Sequence, residues 1–146
     1  MNRLAFVPLE PGDFGTLRTA LGAAGLPTDD LGEPGRRFFA LADDSDQIGF
    51  VGLEGGGADI LLRSLVVFSA RARQGYGSLL VTHAEAAARG GGAGRLHLLT
   101  TTAADFFRSR GYRHGDRAAA PPAIRATAQL ASLCPGSATY LVKELA

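Results

Sequence analysis

The sequence has one cysteine, Cys134, so no internal disulfide can brace the fold. Neither a Cys/His zinc pattern nor an apolar secretory segment behind a basic start is present, and a cytoplasmic protein is expected. An excess of one charge is missing too. Fifteen Lys plus Arg stand against fourteen Asp plus Glu, a net charge of +1. That balance excludes a protein whose main work is coating nucleic acid or anionic lipid, and it makes any anion site a local feature. No apolar run approaches the roughly 20 residues of a bilayer-spanning helix, since even Ile60 to Phe68 is interrupted by Arg63 and Ser64. Internal repeats and low-complexity tails are absent as well. What remains is a chain of 146 residues, 46% hydrophobic and 20% charged, which fits one domain over 1–146.

Hydrophobic patterning gives the order of elements. Leu4 to Leu9 reads as a strand, and Asp13 stands as the N-cap of a helix over Phe14 to Ala24, with Leu17, Leu21 and Ala24 on one face. Arg37 to Ala42 and Gln47 to Glu54 form an antiparallel hairpin around the acidic turn Asp43 to Asp46. The nearly continuous apolar segment Ile60 to Phe68 is a strand covered on both faces, hence central. A helix over about Ser78 to Arg89 carries Leu79, Leu80, His83, Ala84 and Ala87 on its apolar stripe. Then follow a strand at Arg95 to Thr100, a short helix at Ala103 to Ser109 closed by Gly111, and a strand from Tyr112. A helical stretch over Ala123 to Leu133 and a strand over Ala138 to Lys143 complete the chain. The fold class is α+β (mixed α/β), a mostly antiparallel sheet flanked by helices, and a regular doubly wound sheet is disfavoured.

One stretch carries chemistry. The central strand runs into Arg71-Ala72-Arg73-Gln74-Gly75-Tyr76-Gly77-Ser78 and then a helix. The glycines allow a sharp turn and close backbone approach, and the first helical turn leaves free N–H groups that favour an anion. The lysine of a Walker A loop and the third glycine of a dinucleotide fingerprint are both missing, so the pattern points to a pyrophosphate site of another kind, or to a plain strand-to-helix turn with solvated arginines.

The segment from Phe38 to Tyr112 resembles the GNAT family of acetyl-CoA-dependent N-acetyltransferases, through the strand Leu65-Val66-Val67-Phe68, the Gln74 to Ser78 loop and Ala103 to Tyr112, in that order. More narrowly, Leu99 to Phe107, Asp116 to Pro121, Ile124 to Thr127 and Ser132 to Pro135 are similar to the arsenic-resistance N-acetyltransferase subgroup. The resemblance implies the GNAT acyl-CoA N-acyltransferase fold, with acetyl-CoA as cosubstrate, no metal, a small-molecule amine as acceptor, and no nucleic-acid or membrane partner. It implies that backbone groups of Leu65, Val66 and Val67 hold the acetyl and pantetheine portions. Arg73 and the Gln74, Gly75, Tyr76, Gly77 and Ser78 loop would hold the pyrophosphate, while Phe38, Phe39, Phe106 and Phe107 read as core or as walls of the cofactor cleft, with Phe106 and Phe107 the cofactor-contact candidates. Two positions depart from the family pattern: Ala72, where Arg or Gln is usual, and Phe107, where many members place a Tyr that protonates the departing thiolate. The departures motivate two rival readings, a non-catalytic acetyl-CoA sensor and an interaction module that keeps only the fold. A homodimer is one option for assembly.

Amine acetylation needs an acceptor for the ammonium proton. Glu54 ends the strand beside the central one, on the face of Phe50 and Gly52, and is either that base or a hydrophilic strand end. Arg63 and Ser64 interrupt the central strand and, by period-two alternation, point to opposite faces. A buried Arg63 needs a partner, which is Glu54 or an anionic substrate. Glu54, Arg63 and Ser64 are therefore the catalytic candidates, with Arg63, Arg117 and Arg125 as candidate substrate contacts. Cys134 reads as a small buried residue, His83 and His97 as packing residues, and His114 as one within reach of the site. Whether Asp30 closes over the site is open.

Overall fold

Four consecutive runs of apolar residues pair as an antiparallel meander: β1 (Ala5–Pro8), β2 (Arg36–Ala42), β3 (Gln47–Glu54) and β4 (Asp59–Val67). The computed structural model describes residues 3–127, 129–130 and 137–145. β4 then pairs in parallel with β5 (Arg95–Thr100), which pairs antiparallel with β7 (Thr139–Glu144), and the short β6 (Arg113–His114) lies at the far edge. The spatial order is β1-β2-β3-β4-β5-β7-β6, with β4–β5 as the parallel junction. Strand β3 is buried along nearly its whole length and β4 from Ile60 to Ser64, as their largely apolar runs require.

Helices cover both faces. On one, Leu80, Val81, Ala84 and Ala88 of α2 (Tyr76–Gly90) and Phe107 of α3 (Ala104–Arg108) pack on alternate residues of the strands. On the other, Leu17 and Leu21 of α1 (Phe14–Ala23) pack with Leu31 on Phe38, Ala40 and Phe50. Ile124 of α4 (Pro122–Arg125) covers Leu61, Tyr140 and Val142 further along that same face.

Four local expectations change. Asp13 holds the N-cap position of α1, but its side chain makes no cap bond there: its carboxylate accepts the Glu10 N–H at 3.0 Å, across the 3-10 turn over Pro11–Asp13 that leads into the helix. The buried stripe of α2 is turned by one residue, to Leu80, Val81, Ala84, Glu85 and Ala88, while Leu79, His83 and Ala87 lie at its margin. Glu85 can be buried there because the Tyr112 hydroxyl donates to it at 2.8 Å and Lys143 Nζ at 3.0 Å. The expected helix over Ala123 to Leu133 is interrupted after Arg125, where the Thr127 hydroxyl donates to the Ile124 carbonyl at 2.7 Å, and the backbone is helical again at Gln129 and Leu130. Its end at Ser132 and Leu133, and Cys134, lie outside the described residues.

The last change concerns Arg63 and Ser64. The β3–β4 register runs from Phe50↔Val66 to Gly52↔Arg63, so β4 carries one extra residue there, and Ser64 takes the left-handed region at φ 60°. The bulge breaks the alternation that would have sent the two side chains to opposite faces. Instead Arg63 Nε donates to Ser64 Oγ at 3.1 Å.

Candidate functional site

The parallel pairing of β4 with β5 covers only Asp59, Ile60 and Leu61 against Arg95, Leu96 and His97. Beyond it β4 stays with β3 and β5 with β7, so the sheet opens into a wedge. The bulge at Ser64 falls at this opening and bends β4 away. Among the described residues, the edge of β4 from Leu62 to Val67 has no strand partner on this side. A cleft of about 170 Å³ occupies the wedge, with Ser64 and Leu65 on one wall, Leu98, Thr101 and Phe107 on the other, and the Gly25–Pro27 loop at its rim.

Behind Ser64 lies a buried ion-pair network. Arg63 Nη1 donates to Asp30 at 2.6 Å and to Glu54 at 2.8 Å, and Nη2 donates to the other Asp30 oxygen at 2.7 Å. Arg36 donates to Asp30 from Nε at 3.2 Å, stands 3.3 Å from the second Glu54 oxygen, and donates to the Pro34 carbonyl at 2.7 Å. Two cations thus meet two carboxylates, and the Arg63 side chain is fully buried. Burial alone would raise the Asp30 carboxyl, but hydrogen bonds and charge from Arg63, and then Arg36, outweigh it and hold Asp30 below the usual carboxylate range. Burial would likewise lower the Arg63 guanidinium, and Asp30 and Glu54 outweigh that and keep it charged.

The three catalytic candidates are therefore one hydrogen-bonded unit, yet only Arg63 and Ser64 reach the cleft wall. Of the two partners open for Arg63, an acid is the one it has, and its bidentate face is taken by Asp30. Both oxygens of Glu54 face guanidinium groups as well. Sequence reasoning missed Arg36 and left Asp30 open. The signal was that one acid cannot fully pair an arginine buried in an apolar strand, since a guanidinium carries five donors.

At the far end of β4 the chain turns into α2. Arg73 (φ 64°) and Gly75 (φ 83°) are left-handed on either side of Gln74, a conformation glycine tolerates. The helix begins at Tyr76, and the first intrahelical bond runs from the Leu79 N–H to the Gly75 carbonyl. The N–H groups of Tyr76, Gly77 and Ser78 precede it and are free of backbone acceptors among the described residues. A Cβ on Gly77 would stand 3.3 Å from the Phe106 ring and 3.9 Å from Val67, so this first turn is pressed against α3 and the end of β4. Arg71 is tied to Asp43 at 2.7 Å, while Arg73 is exposed.

Arg117, Arg125 and the histidines lie apart from the cleft. Arg117 donates to the Leu130 carbonyl at 2.8 Å and Arg125 to the Ala118 carbonyl at 3.4 Å, ties that brace the segment before β7. His114 is exposed against Arg108. His97 lies between the Tyr140 hydroxyl at 2.6 Å and Asp59 at 2.7 Å, and His83 stacks on Phe6. Phe107 lines the cleft and packs edge-on against Phe106 and Tyr112. Among the described residues, no helix is long and apolar enough to cross a membrane and no acidic, His or Cys cluster has metal-site composition.

The sequence matches the acetyltransferase (GNAT) domain family over residues 34–114, more than half of the chain. No curated protein sequence matches it. Among solved structures, the chain is similar to N-acetylglutamate synthase from Neisseria gonorrhoeae, complexed with coenzyme A and N-acetyl-glutamate. The TM-score is 0.81 at 21% identity, covering 99% of this chain and 35% of that one. It is similar over nearly the whole of both chains to an aminoglycoside 6'-N-acetyltransferase complexed with coenzyme A (TM-score 0.72, 16% identity, 97% of each chain). A third likeness is to the ribosomal-protein-S18-alanine N-acetyltransferase from Escherichia coli (TM-score 0.73, 15% identity, 100% and 95%). The chain spans about a third of the length of the synthase chain.

Proposed function

The chain belongs to the GNAT acetyltransferase family, and from that membership and the open edge of β4 we propose that it transfers an acetyl group from acetyl-CoA to the primary amine of a small molecule. The observation that carries this reading is the wedge beside β4, which ends at the first turn of α2. An extended pantetheine can lie along an unpartnered strand edge as an added strand does, bonded to the main chain at Leu65, Val66 and Val67. The free N–H groups of Tyr76, Gly77 and Ser78 suit the diphosphate at the other end. When bound, acetyl-CoA supplies the acyl group as an activated thioester.

The chain's own residues orient the amine, exclude water and handle protons. Phe107 has no proton to give, and of the hydroxyls that line the cleft, on Ser64, Thr100, Thr101 and Thr102, that of Ser64 is the buried one and lies on the β4 wall. Because Arg63 Nε donates to Ser64 Oγ, the Ser64 hydroxyl hydrogen is free to point into the cleft and donate to the departing thiolate. Glu54 serves as counter-charge that holds Arg63 and Arg36, and the ammonium proton leaves through water. No metal enters this scheme.

The narrower reading of the acceptor, an amino acid bearing an arsonate-like or phosphinate-like group, is supported by the resemblance of Leu99 to Phe107 and Asp116 to Pro121 to the arsenic-resistance subgroup. With Arg63 held by Asp30 and Glu54, another cation would grip such an anion. A second reading, an acetyl-CoA-binding module without turnover, is favoured by the absence of any carboxylate from the cleft lining among the described residues.

Thermal unfolding with acetyl-CoA separates these cases from a bare fold. A ligand at a hundred times its Kd stabilises the folded state by about 2.7 kcal/mol. Stabilisation together with thiol release on a panel of amino acids, aminoglycosides and N-terminal alanine peptides supports the enzyme. Stabilisation without thiol release supports the module, and no stabilisation at saturating acetyl-CoA rejects both.

A further inference from the structure

We propose that Arg110, reaching from the end of α3 to the first turn of α2, is the side-chain cation that binds the diphosphate of the acyl-CoA donor. The inference rests on the functional reading above and adds to it the residue that completes the anion site.

The Gln74 to Ser78 loop itself holds no cation, and position 72, just ahead of it, is an alanine. Arg71 is consumed by Asp43, and Arg73, directly ahead of the loop, is exposed and has no side-chain hydrogen bond or ion pair among the described residues to fix it in place. Arg110 instead lies flat on the Phe106 ring, its guanidinium carbon 3.8 Å from the centroid. Nη1 donates to the Phe106 carbonyl and to Ser109 Oγ, both at 2.9 Å, and Nη2 donates to Ser78 Oγ. Phe106 in turn backs onto Gly77, so the guanidinium is fixed against the second and third residues of α2, where the free N–H groups are.

Two features of this placement call for an anion. Among the described residues Arg110 has no carboxylate within ion-pair distance, although it stands at the positive end of a 15-residue helix, where a cation is disfavoured. Its Nε is buried against the protein and has no hydrogen-bond partner among the described residues, and Nη2 donates only one of its two hydrogens. A guanidinium held by its surroundings, with an Nη2 hydrogen to spare, beside an array of free main-chain N–H groups, suits a group with several acceptor oxygens on adjoining phosphates. The site adjoins Val67 at the end of the open β4 edge, as the geometry of one extended thioester ligand requires.

The test is calorimetric titration of acetyl-CoA, and of ADP as a second diphosphate probe, into the parent protein, Arg110→Met and Arg110→Lys, with circular dichroism as the check of fold. Loss of a charged hydrogen-bonding partner is expected to weaken acetyl-CoA binding by about tenfold to a hundredfold in Arg110→Met. Arg110→Lys keeps the charge without the planar fork and is expected to fall between. The parent should also lose affinity with added salt more steeply than Arg110→Met. Acetyl-CoA affinity in both variants within twofold of the parent overturns the inference and leaves the functional reading standing. Sensitivity with acetyl-CoA but not with ADP also overturns it, because Arg110 would then act away from the diphosphate. A parent that binds neither probe overturns the functional reading itself.

Discussion

Two charged regions flank the same strand, and they are built on opposite terms. At the bulge of β4, Arg36 and Arg63 meet Asp30 and Glu54, so the charges cancel and nearly every donor has an acceptor inside the protein. At the other end, Arg110 and the first turn of α2 present donors with no carboxylate among them in the described residues. The overall charge of +1 hides both, since it averages a region that is neutral by pairing with one that is positive for want of a partner. Balanced buried charge fixes a conformation. Unbalanced charge at a helix start is what an anionic ligand can use.

The sharpest way to break this contrast is to unbalance the first region. Asp30→Ala leaves the fully buried Arg63 with Glu54 as its acid and frees the loop that Asp30 anchors to β4. A loss of about 3–5 kcal/mol in urea unfolding is expected, the usual cost of breaking a buried pair from one side. Arg110→Met removes charge from the second region, and its stability is expected within about 1 kcal/mol of the parent, because a cation leaves the positive end of a helix. Equal losses in the two variants would dissolve the distinction.

Next in size is Ser64→Ala. If the hydroxyl donates to the leaving thiolate, thiol release is expected to fall by about a hundredfold, the lower end for a positioned proton donor. Acetyl-CoA affinity should stay within about threefold, since the main chain of β4 is untouched. Gly77→Ala is milder. The new methyl meets Phe106 at 3.3 Å, tighter than ordinary contact, at the turn that faces the diphosphate. Acetyl-CoA binding is expected to weaken about fivefold to tenfold, about 1 kcal/mol or a little more, measured by the same titration, with little change in stability.

The contrast also explains what could be read from the residues. Strand positions were legible to within a residue or two because burial on both faces leaves a nearly continuous apolar run, as in Ile60 to Val67. The α2 loop was legible because its glycines and helix start act locally. The network was only half legible. Its members come from a loop, two neighbouring strands and a bulge, and Asp30 lies 33 positions from Arg63 in the chain. Alternation gave the right face for Glu54 but the wrong one for Ser64, because a single left-handed residue resets the period. Arg110 was passed over because its partner Ser78 is 32 positions away and its importance lies in a partner it lacks.

The smallest expected effect, and the one that reads the first region alone, is its response to acid. Asp30 is held below the usual carboxylate range in the folded state, against an unfolded value of about 3.9. The folded protein thus binds this proton less readily than the unfolded chain, so the stability it contributes is fully present above the unfolded value and is lost as pH falls through the folded one. Urea unfolding from pH 6 downward should show stability falling below about pH 4 in the parent. In Asp30→Asn that part of the slope should be missing, while the variant is less stable at pH 6 because Arg63 has lost a charged partner. The α2 end contributes no carboxylate contact to Arg110, so Arg110→Met should keep the full acid slope of the parent. A slope undiminished in Asp30→Asn would place the acid sensitivity in other carboxylates, such as Asp43 beside Arg71, and remove the basis for treating the network as the region where charge builds structure.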